Sequence, residues 1–303
     1  MARVSDTFKP PVVVVANPAA PAWLRVAPGI FLLLWSSGFV VLKVGLRYAE
    51  PLTFLSLRYA IVIALLLPLA IVLRPPRPRG VAWLHLVVVG LLVQGAYFGL
   101  DYLAIELHAP VGTVALITSL QPVLIGLLAP WLAQETVTGR QWAGLALGLA
   151  GSSVVILARS GVDAASPLSL ICAFGALLAM TFGTLYERRF GGRQHLVTAN
   201  LVQCGAALAL LLPLAALFET MQVRITPAFG LSLGYLVVAN SLVSISLLLA
   251  MLRAGSAAKV SAWFFLIPPM TAVTAWLLVG EIMPPAGWLG MAIAAAGVAL
   301  VTR

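Results

Sequence analysis

Apolar stretches of about twenty residues recur along the whole chain, and they restrict its fold more than any other feature. A helix needs roughly 20 apolar residues to cross a hydrocarbon layer about 30 Å thick. Of the 303 residues, 62% are hydrophobic and only 9% are charged, whereas charged residues make up roughly 25% of a soluble domain. The sequence therefore predicts an all-α integral membrane protein that is surrounded by the lipid bilayer.

Proline, glycine and charged residues divide these stretches into ten predicted transmembrane helices. Their ranges are 27–46, 51–73, 81–101, 109–131, 138–158, 167–187, 196–218, 228–252, 257–279 and 286–302. Residues 1–25 contain four prolines and one short apolar run, 12–15. That run is too short for the core of a signal peptide, so the segment is predicted to be a disordered cytoplasmic tail.

Lysine and arginine fall mainly on one side of this ten-span topology. Thirteen lie on the side of the N-terminus and four on the other, while Arg58 lies within the second span. The positive-inside rule then predicts a multi-pass protein of the cell inner (plasma) membrane with both termini in the cytoplasm. The net charge of +9 is accordingly attributed to cytoplasmic loops and not to a nucleic-acid partner.

The heptapeptide ALLLPLA occurs at residues 64–70 and again at 209–215, and other residues recur at nearly the same offset. Pairs that are 145 or 146 positions apart include Gly38 and Gly183, Gln94 and Asn240, Pro122 and Pro268, Glu135 and Glu281, and Trp142 and Trp288. The offset predicts two repeats of five helices, 26–158 and 159–303, within one membrane domain. Because five is odd, the second repeat enters the membrane from the opposite face, and such inverted-topology repeats are typical of secondary transporters.

Several motifs resemble those of the EamA-type carriers of the drug/metabolite transporter superfamily. They are Trp35-Ser36-Ser37-Gly38-Phe39 in the first span, Leu57-Arg58-Tyr59 in the second, and the proline–glutamate–glycine pattern that closes each half. The resemblance covers nearly the whole chain after the tail, and within the family it extends to amino-acid exporters of the aromatic amino-acid type. It implies ten helices, cytoplasmic termini and the export of amino acids or other metabolites.

Polar and aromatic side chains within the spans are the candidates for a substrate path, because polar groups are unfavourable in hydrocarbon. The candidate substrate-binding residues are Trp35, Ser36, Phe39, Lys43, Gln94, Tyr97, Phe98, Asp101, Asn240, Ser244, Trp263 and Phe264. Gln94 and Asn240 are repeat mates, and their amides both donate and accept hydrogen bonds, which suits a zwitterionic solute. The alternative is that these amides only hold neighbouring helices together.

For each of two basic residues, the sequence leaves more than one role open. Lys43 attracts a substrate carboxylate, snorkels to the membrane interface or pairs with Glu50. Arg58 lies deeper and needs an interior partner, for which Asp101 and Glu50 are the candidates. A structural ion pair and a contact with substrate are both compatible with its position.

Pro122 and Pro268 are predicted to interrupt the fourth and ninth spans. A proline inside a helix removes one hydrogen bond and clashes with the carbonyl four residues earlier, here that of Thr118 or Phe264. The kinks serve either as gating hinges or as static packing features.

Two further groups of residues are interpreted as structural. Glu135 and Glu281 are expected to cap the helix that follows each of them or to anchor its loop. Glycines and an alanine with helical spacing predict a close helix–helix contact; they are Gly144, Gly148, Gly151, Gly290, Ala294 and Gly297.

No nucleotide-binding loop pattern occurs, and His85, His108 and His195 lie at or beyond the ends of spans. An enzyme, a metal site and a cofactor are therefore not expected. The predicted function is a secondary transporter, a monomer or weak dimer, that exports small metabolites, favoured as amino acids, by alternating access through a cavity between the repeats. Facilitated export and proton antiport are both open, and the alternative function is a flippase for a lipid-linked or other amphipathic metabolite.

Overall fold

The computed structural model describes residues 22–107, 109, 111–159, 166–191, 194–279 and 284–303, and these residues are almost entirely helical. The helices are α1 (Ala27–Gly45), α2 (Pro51–Leu73), α3 (Ala82–Glu106), α4 (Val111–Thr118), α5 (Gln121–Leu132), α6 (Gly139–Arg159), α7 (Pro167–Phe190), α8 (Leu196–Phe218), α9 (Pro227–Ala254), α10 (Ala257–Ala262), α11 (Ile267–Val279) and α12 (Pro285–Thr302). Eight of the described helices are long and apolar enough to cross a membrane. The multi-span helical fold predicted from hydropathy is thereby confirmed, while the count of ten remains a prediction.

The predicted boundaries match the observed ones closely in the uninterrupted helices. Those of α2 and α8 agree to the residue, while α3 continues about one turn beyond the predicted 81–101. Of the predicted tail, residues 1–21 lie outside the described residues, and Ala22–Arg25 form a 3-10 turn. Long apolar runs determine these ends, because each run stops at a proline, glycine or charged residue.

The fourth and ninth predicted spans are not continuous helices. A turn at Ser119 and Leu120 separates α4 from α5, and Pro122 lies in the first turn of α5. A 3-10 turn, Trp263–Leu266, precedes α11, of which Pro268 is the second residue. Both spans are thus interrupted next to the predicted proline, although each proline lies in the first turn of the α-helix after the interruption and not in the middle of a helix. A gating role for either proline stays a prediction. Proline suits the first turn of a helix, where its missing N–H would have had no partner.

Both α3 and α9 contain a π-helical segment, Gly90–Tyr97 and Leu236–Ser244, and the two segments begin 146 residues apart. The segment of α3 packs against α7 and α8, and that of α9 packs against α1 and α2. Each therefore lies against the first two long helices of the other half. Because π-helical segments are rare and are frequently found at functional sites, this matched pair marks a candidate functional region between the two halves.

The small residues of α6 and α12 allow these two helices to touch. A Cβ on Gly151 would lie 2.3 Å from the backbone nitrogen of Ala294, and one on Gly297 would lie 2.4 Å from that of Gly148. Any side chain at these positions would force the helices apart. The predicted packing role of these glycines is confirmed.

Glutamates tie the two halves together at the helix ends. Glu219, which follows α8, accepts hydrogen bonds from the backbone nitrogens of Leu52 and Thr53 in α2, both at 2.7 Å. Glu50 accepts a reciprocal bond from the backbone nitrogen of Thr220 at 2.9 Å. Carboxylates are favourable at helix N-termini, where N–H groups lack partners within the helix.

Glu135 forms a similar tie at the other end of the bundle. It accepts hydrogen bonds from Nε of Arg188, at 2.5 Å, and from the backbone nitrogen of Ala257, at 2.8 Å. Glu135 thus caps α10 of the second half and not α6, so the first predicted role is wrong, whereas these bonds agree with the second, the anchoring of its loop. Its predicted repeat mate, Glu281, lies outside the described residues.

Candidate functional site

Buried polar and aromatic side chains gather where the two π-helical segments meet α1 and α2. We call this group the central cluster. Its members are Trp35, Arg58, Tyr59, Gln94, Tyr97, Phe98, Tyr102, Asn240, Ser241 and Phe264, and all are buried. Six of the ten belong to the candidate set predicted from the sequence.

Trp35 is at the centre of the aromatic part of this cluster. Its ring centroid lies 5.7 Å from those of Phe98 and Phe264 and 6.5 Å from that of Tyr97. Tilted and edge-to-face contacts at these distances are favourable arrangements of aromatic rings. The structure thus brings together side chains from α1, α3 and the turn before α11.

Arg58 is the charged member of the cluster, and it is only 1% exposed. Its Nε donates to the hydroxyl of Ser241 at 2.6 Å, and its Nη1 donates to the hydroxyl of Tyr102 at 2.9 Å. Its Cζ lies 5.0 Å from the centroid of the Phe98 ring. Among the described residues no carboxylate forms an ion pair with Arg58, so the predicted pairing with Asp101 or Glu50 is wrong.

The interactions of Arg58 only partly compensate for its burial. Removing a cation from water costs on the order of several kcal/mol, and neutral hydroxyls and an aromatic face recover only part of that free energy. The remaining nitrogen, Nη2, is buried without a hydrogen-bond partner in the described structure. The cluster therefore contains a cation with spare donor capacity.

Gln94 also keeps an unused donor. The residue is 0% exposed, and the hydroxyl of Tyr59 bonds its backbone carbonyl at 2.7 Å and lies 3.2 Å from its side-chain Oε1. Its Nε2 has no partner among the described residues. If the Gln94 amide only held neighbouring helices together, its unpartnered Nε2 would have no explanation.

Asn240, the repeat mate of Gln94, has a more fully structural environment. Its Nδ2 donates to the carbonyl of Leu34 in α1 at 3.3 Å. A Cβ on Gly38 would lie 2.1 Å from that nitrogen, so glycine is needed there for the close approach. The next residue, Ser241, accepts a hydrogen bond at its carbonyl from Nδ2 of Asn200 at 2.7 Å. The π-helical segment of α9 is held from both sides.

The other predicted site residues have varied positions. Ser36 is buried, and its hydroxyl donates to the carbonyl of Ile267 in α11 at 3.4 Å. Asp101 and Ser244 are buried, Phe39 and Trp263 are half-buried, and Lys43 is exposed. Lys43 does not pair with Glu50, whose carboxylate accepts hydrogen bonds from Thr220, while snorkelling of Lys43 to the interface stays a prediction. Contact of any of these residues with substrate remains a prediction.

The candidate list omitted Arg58, Tyr59, Tyr102 and Ser241, although Arg58 was predicted to need an interior partner. Their importance depends on the approach of α2 to α3 and α9, which no local pattern encodes. The unusual occurrence of charge and hydroxyl groups inside apolar stretches was the only sequence signal that could have identified them.

A second group of unpartnered polar atoms lies between α7, α8 and α9. Oε2 of Glu187 and Nε2 of Gln203 are buried without partners in the described structure, and both residues line a cavity of about 10 Å³ together with Thr184. Oε1 of Glu187 pairs with Arg253 at 3.2 Å. A cavity of this size holds about one water molecule, so this group is too confined for a solute in the described conformation.

Comparisons with known proteins place these features in a wider context. The sequence profile of the EamA-like transporter family matches residues 29–157 and again residues 167–303. A solved crystal structure with 21% sequence identity superposes on the chain with a TM-score of 0.78, covering 93% of this chain and 96% of its own. The same profile thus describes both halves, and the overall fold is shared with a solved structure.

Three curated relatives are bacterial transport proteins by name. A probable terminal-alkyne amino-acid exporter of Streptantibioticus cattleyicolor is 32% identical over 89% of this chain and 90% of its own. The uncharacterized inner membrane transporter YedA of Escherichia coli K12 is 24% identical over 89% and 87%. A probable amino-acid metabolite efflux pump of the same strain is 26% identical over 53% of this chain and 52% of its own.

Proposed function

Because this chain belongs to the EamA-like transporter family, we propose that it is a secondary transporter that exports amino acids or related small metabolites by alternating access. The substrate passes through a path between two repeats of five spans each, inserted with opposite topology, and both termini are cytoplasmic. The names of two relatives as amino-acid exporter and amino-acid metabolite efflux pump support this substrate class.

The observation that carries the proposal is the matched pair of π-helical segments. Each presents a buried amide, Gln94 or Asn240, and each packs against the first two long helices of the other half. Such a crossed arrangement allows one half to move relative to the other while two polar groups remain near the centre. Irregular backbone at membrane depth is tolerated where it is buried in protein or lines a cavity.

Reconstitution into liposomes tests the proposal. Purified protein in liposomes loaded with one unlabelled amino acid is expected to accumulate the labelled form of that amino acid by exchange. The panel is run with and without a pH gradient, because a rate that depends on the gradient indicates proton coupling and an unchanged rate indicates facilitated transport. Failure to exchange any amino acid, or movement of a labelled lipid instead, would contradict the proposal.

The two amides provide the matched variants. Gln94→Ala and Asn240→Ala are each expected to lower the exchange rate at unchanged yield of folded protein. Gln222→Ala is the control, because Gln222 is exposed in the connection after α8. A lower yield of folded protein with a normal rate per molecule would show that the amides only hold the helices together.

A further inference from the structure

Arg58 is a buried charged residue without an ion-pair partner among the described residues, and Asp101 is another. Glu187, which is also buried, pairs with Arg253, whereas the hydrogen bonds of Arg58 go to the neutral hydroxyls of Ser241 and Tyr102. A buried charge is normally paired, because the unpaired form is strongly unfavourable. A bound anion would supply the counterion that Arg58 lacks in the described structure.

The geometry of the guanidinium specifies what kind of anion fits. Its Nε and Nη1 are already oriented by two hydroxyls, and its plane is held 5.0 Å from the Phe98 ring centroid. Nη2 has no partner in the described structure and carries two N–H donors, which suit the oxygens of a carboxylate. The hydroxyls act as positioning groups that hold the free nitrogen in place.

A second unpartnered donor belongs to a residue that also contacts Tyr59. Cζ of Arg58 is 5.9 Å from the centroid of the Tyr59 ring, and the hydroxyl of that ring contacts both oxygens of Gln94. Nε2 of Gln94 and Nη2 of Arg58 are therefore two unpartnered donors on residues that share Tyr59 as a neighbour. An acceptor-rich group that entered here would satisfy both.

The aromatic neighbours define the rest of the ligand. The Phe98 ring lies beside the guanidinium and contacts the rings of Trp35 and Tyr97, and an apolar or aromatic side chain packs favourably against such rings. We propose that Arg58 binds the carboxylate of the transported solute, and that the substrates are small carboxylates with an apolar or aromatic side chain. This inference rests on the proposed transport function, since it names the substrate class of that central path.

Binding of small probes to the purified protein tests the inference without requiring transport. Phenylacetate and phenylacetamide have nearly the same shape, but only phenylacetate carries a charge. Phenylacetate is expected to raise the melting temperature of the detergent-solubilised protein in a saturable way, at constant ionic strength, since a ligand that binds only the folded state stabilises it. Phenylacetamide is expected to have little effect. An equal rise with both probes, or no rise with phenylacetate, would overturn the inference.

Variants of Arg58 separate binding from folding. Arg58→Gln is expected to weaken phenylacetate binding roughly 10- to 100-fold, because a hydrogen bond to a charged group is lost. Arg58→Lys is expected to bind with intermediate affinity, since it keeps the charge but loses the planar fork. If Arg58→Gln is not obtained as folded protein, the comparison between wild type and Arg58→Lys carries the test. Wild-type affinity in a folded variant of either kind would overturn the inference.

Gln203→Leu is the matched control, because Gln203 is equally buried and also has an unpartnered nitrogen. It is expected to keep the affinity for phenylacetate. The liposome assay distinguishes the two proposals. Exchange of amines or neutral solutes, without dependence on Arg58, would retain the transport function and reject the anion site. Binding of phenylacetate through Arg58 without exchange of any solute would retain the site and reject transport.

Discussion

Arg58 in α2 and Gln203 in α8 are 145 residues apart and thus occupy equivalent positions of the predicted duplication, but their surroundings differ. Both side chains are 1% exposed, and each keeps one buried nitrogen without a hydrogen-bond partner in the described structure. Arg58 lies among aromatic rings and hydroxyls, whereas Gln203 lies beside Glu187 in a cavity with apolar walls. The same family profile matches both halves, but the side chains around these two positions differ in chemistry.

This difference separates the roles of the two regions. The first half supplies a cation and an amide donor that have spare capacity at the centre. The second half supplies the hydroxyl of Ser241, which positions that cation, and a carboxylate at Glu187 that is already paired. Two halves that match the same family profile can therefore hold a ligand in an asymmetric way, with its charged end directed at one half.

The region around Gln203 depends on backbone contact, and Gly90→Ala is expected to break it. A Cβ on Gly90 would lie 2.6 Å from Cα of Gln203 and 2.7 Å from its carbonyl oxygen. Since backbone atoms cannot rotate away, we expect a loss of about 1–3 kcal/mol in the free energy of unfolding, toward the upper end. Gly205→Ala in α8 is the control, because a Cβ there meets no atom within 4 Å. Equal unfolding midpoints for the two variants would contradict this prediction.

Exchanging the two side chains tests whether position or charge matters. The double variant Arg58→Gln with Gln203→Arg has the composition of the wild type but places the cation beside Glu187. We expect it to bind phenylacetate roughly 10- to 100-fold more weakly than the wild type, equivalent to about 1.4–2.7 kcal/mol. Recovery of wild-type affinity in the double variant would show that the two regions are interchangeable.

Tyr59→Phe tests how much a buried hydroxyl next to Arg58 contributes to stability. The substitution removes the hydroxyl that bonds the carbonyl of Gln94 in the π-helical segment, and we expect a loss of about 1 kcal/mol in stability. Tyr186→Phe is the control, since the hydroxyl of half-buried Tyr186 bonds Nδ1 of His85 where water can replace it. A loss for Tyr186→Phe as large as that for Tyr59→Phe would contradict the assignment of a buried structural role to Tyr59.

The smallest effect is expected at Ser244, which stands 146 residues after Phe98. Its hydroxyl is buried without a hydrogen-bond partner in the described structure. Ser244→Ala removes an unsatisfied polar atom, so we expect the unfolding free energy to change by less than about 0.5 kcal/mol or to rise slightly. A clear loss of stability would mean that this hydroxyl has a partner, such as an ordered water molecule.

Sequence patterns predicted the long helices because hydrophobicity over twenty residues is a strong local signal. The ends of α2 and α8 follow from the proline at residue 51 and from charged residues at 74 and 219. Patterns did not indicate the π-helical segments, since a shift of the backbone hydrogen-bond register leaves hydropathy unchanged. The interruption near Pro122 was predicted from the proline, but a proline does not show whether a helix bends or ends, and here the preceding helix ends at Thr118.

The site was predicted less completely than the fold. The repeat offset identified Gln94 and Asn240 as central, and burial of Trp35, Tyr97, Phe98 and Phe264 in one cluster agrees with the candidate list. The partners of Arg58 were missed because a search for opposite charge considered carboxylates, whereas the structure uses hydroxyls from α3 and α9. Such long-range contacts arise from tertiary packing and leave no spacing in the sequence.

The carboxylate of Glu219 has a consequence for how the protein is made. A ribosome releases α2 long before it synthesises residue 219, so the N–H groups of Leu52 and Thr53 emerge without their final acceptor. Until the end of α8 arrives, this helix terminus must rely on water or lipid headgroups at the membrane surface. The first half is therefore inserted before the hydrogen bonds at the start of α2 are complete. We expect that half, when it is expressed alone, to enter the membrane but to be cleaved readily by proteases.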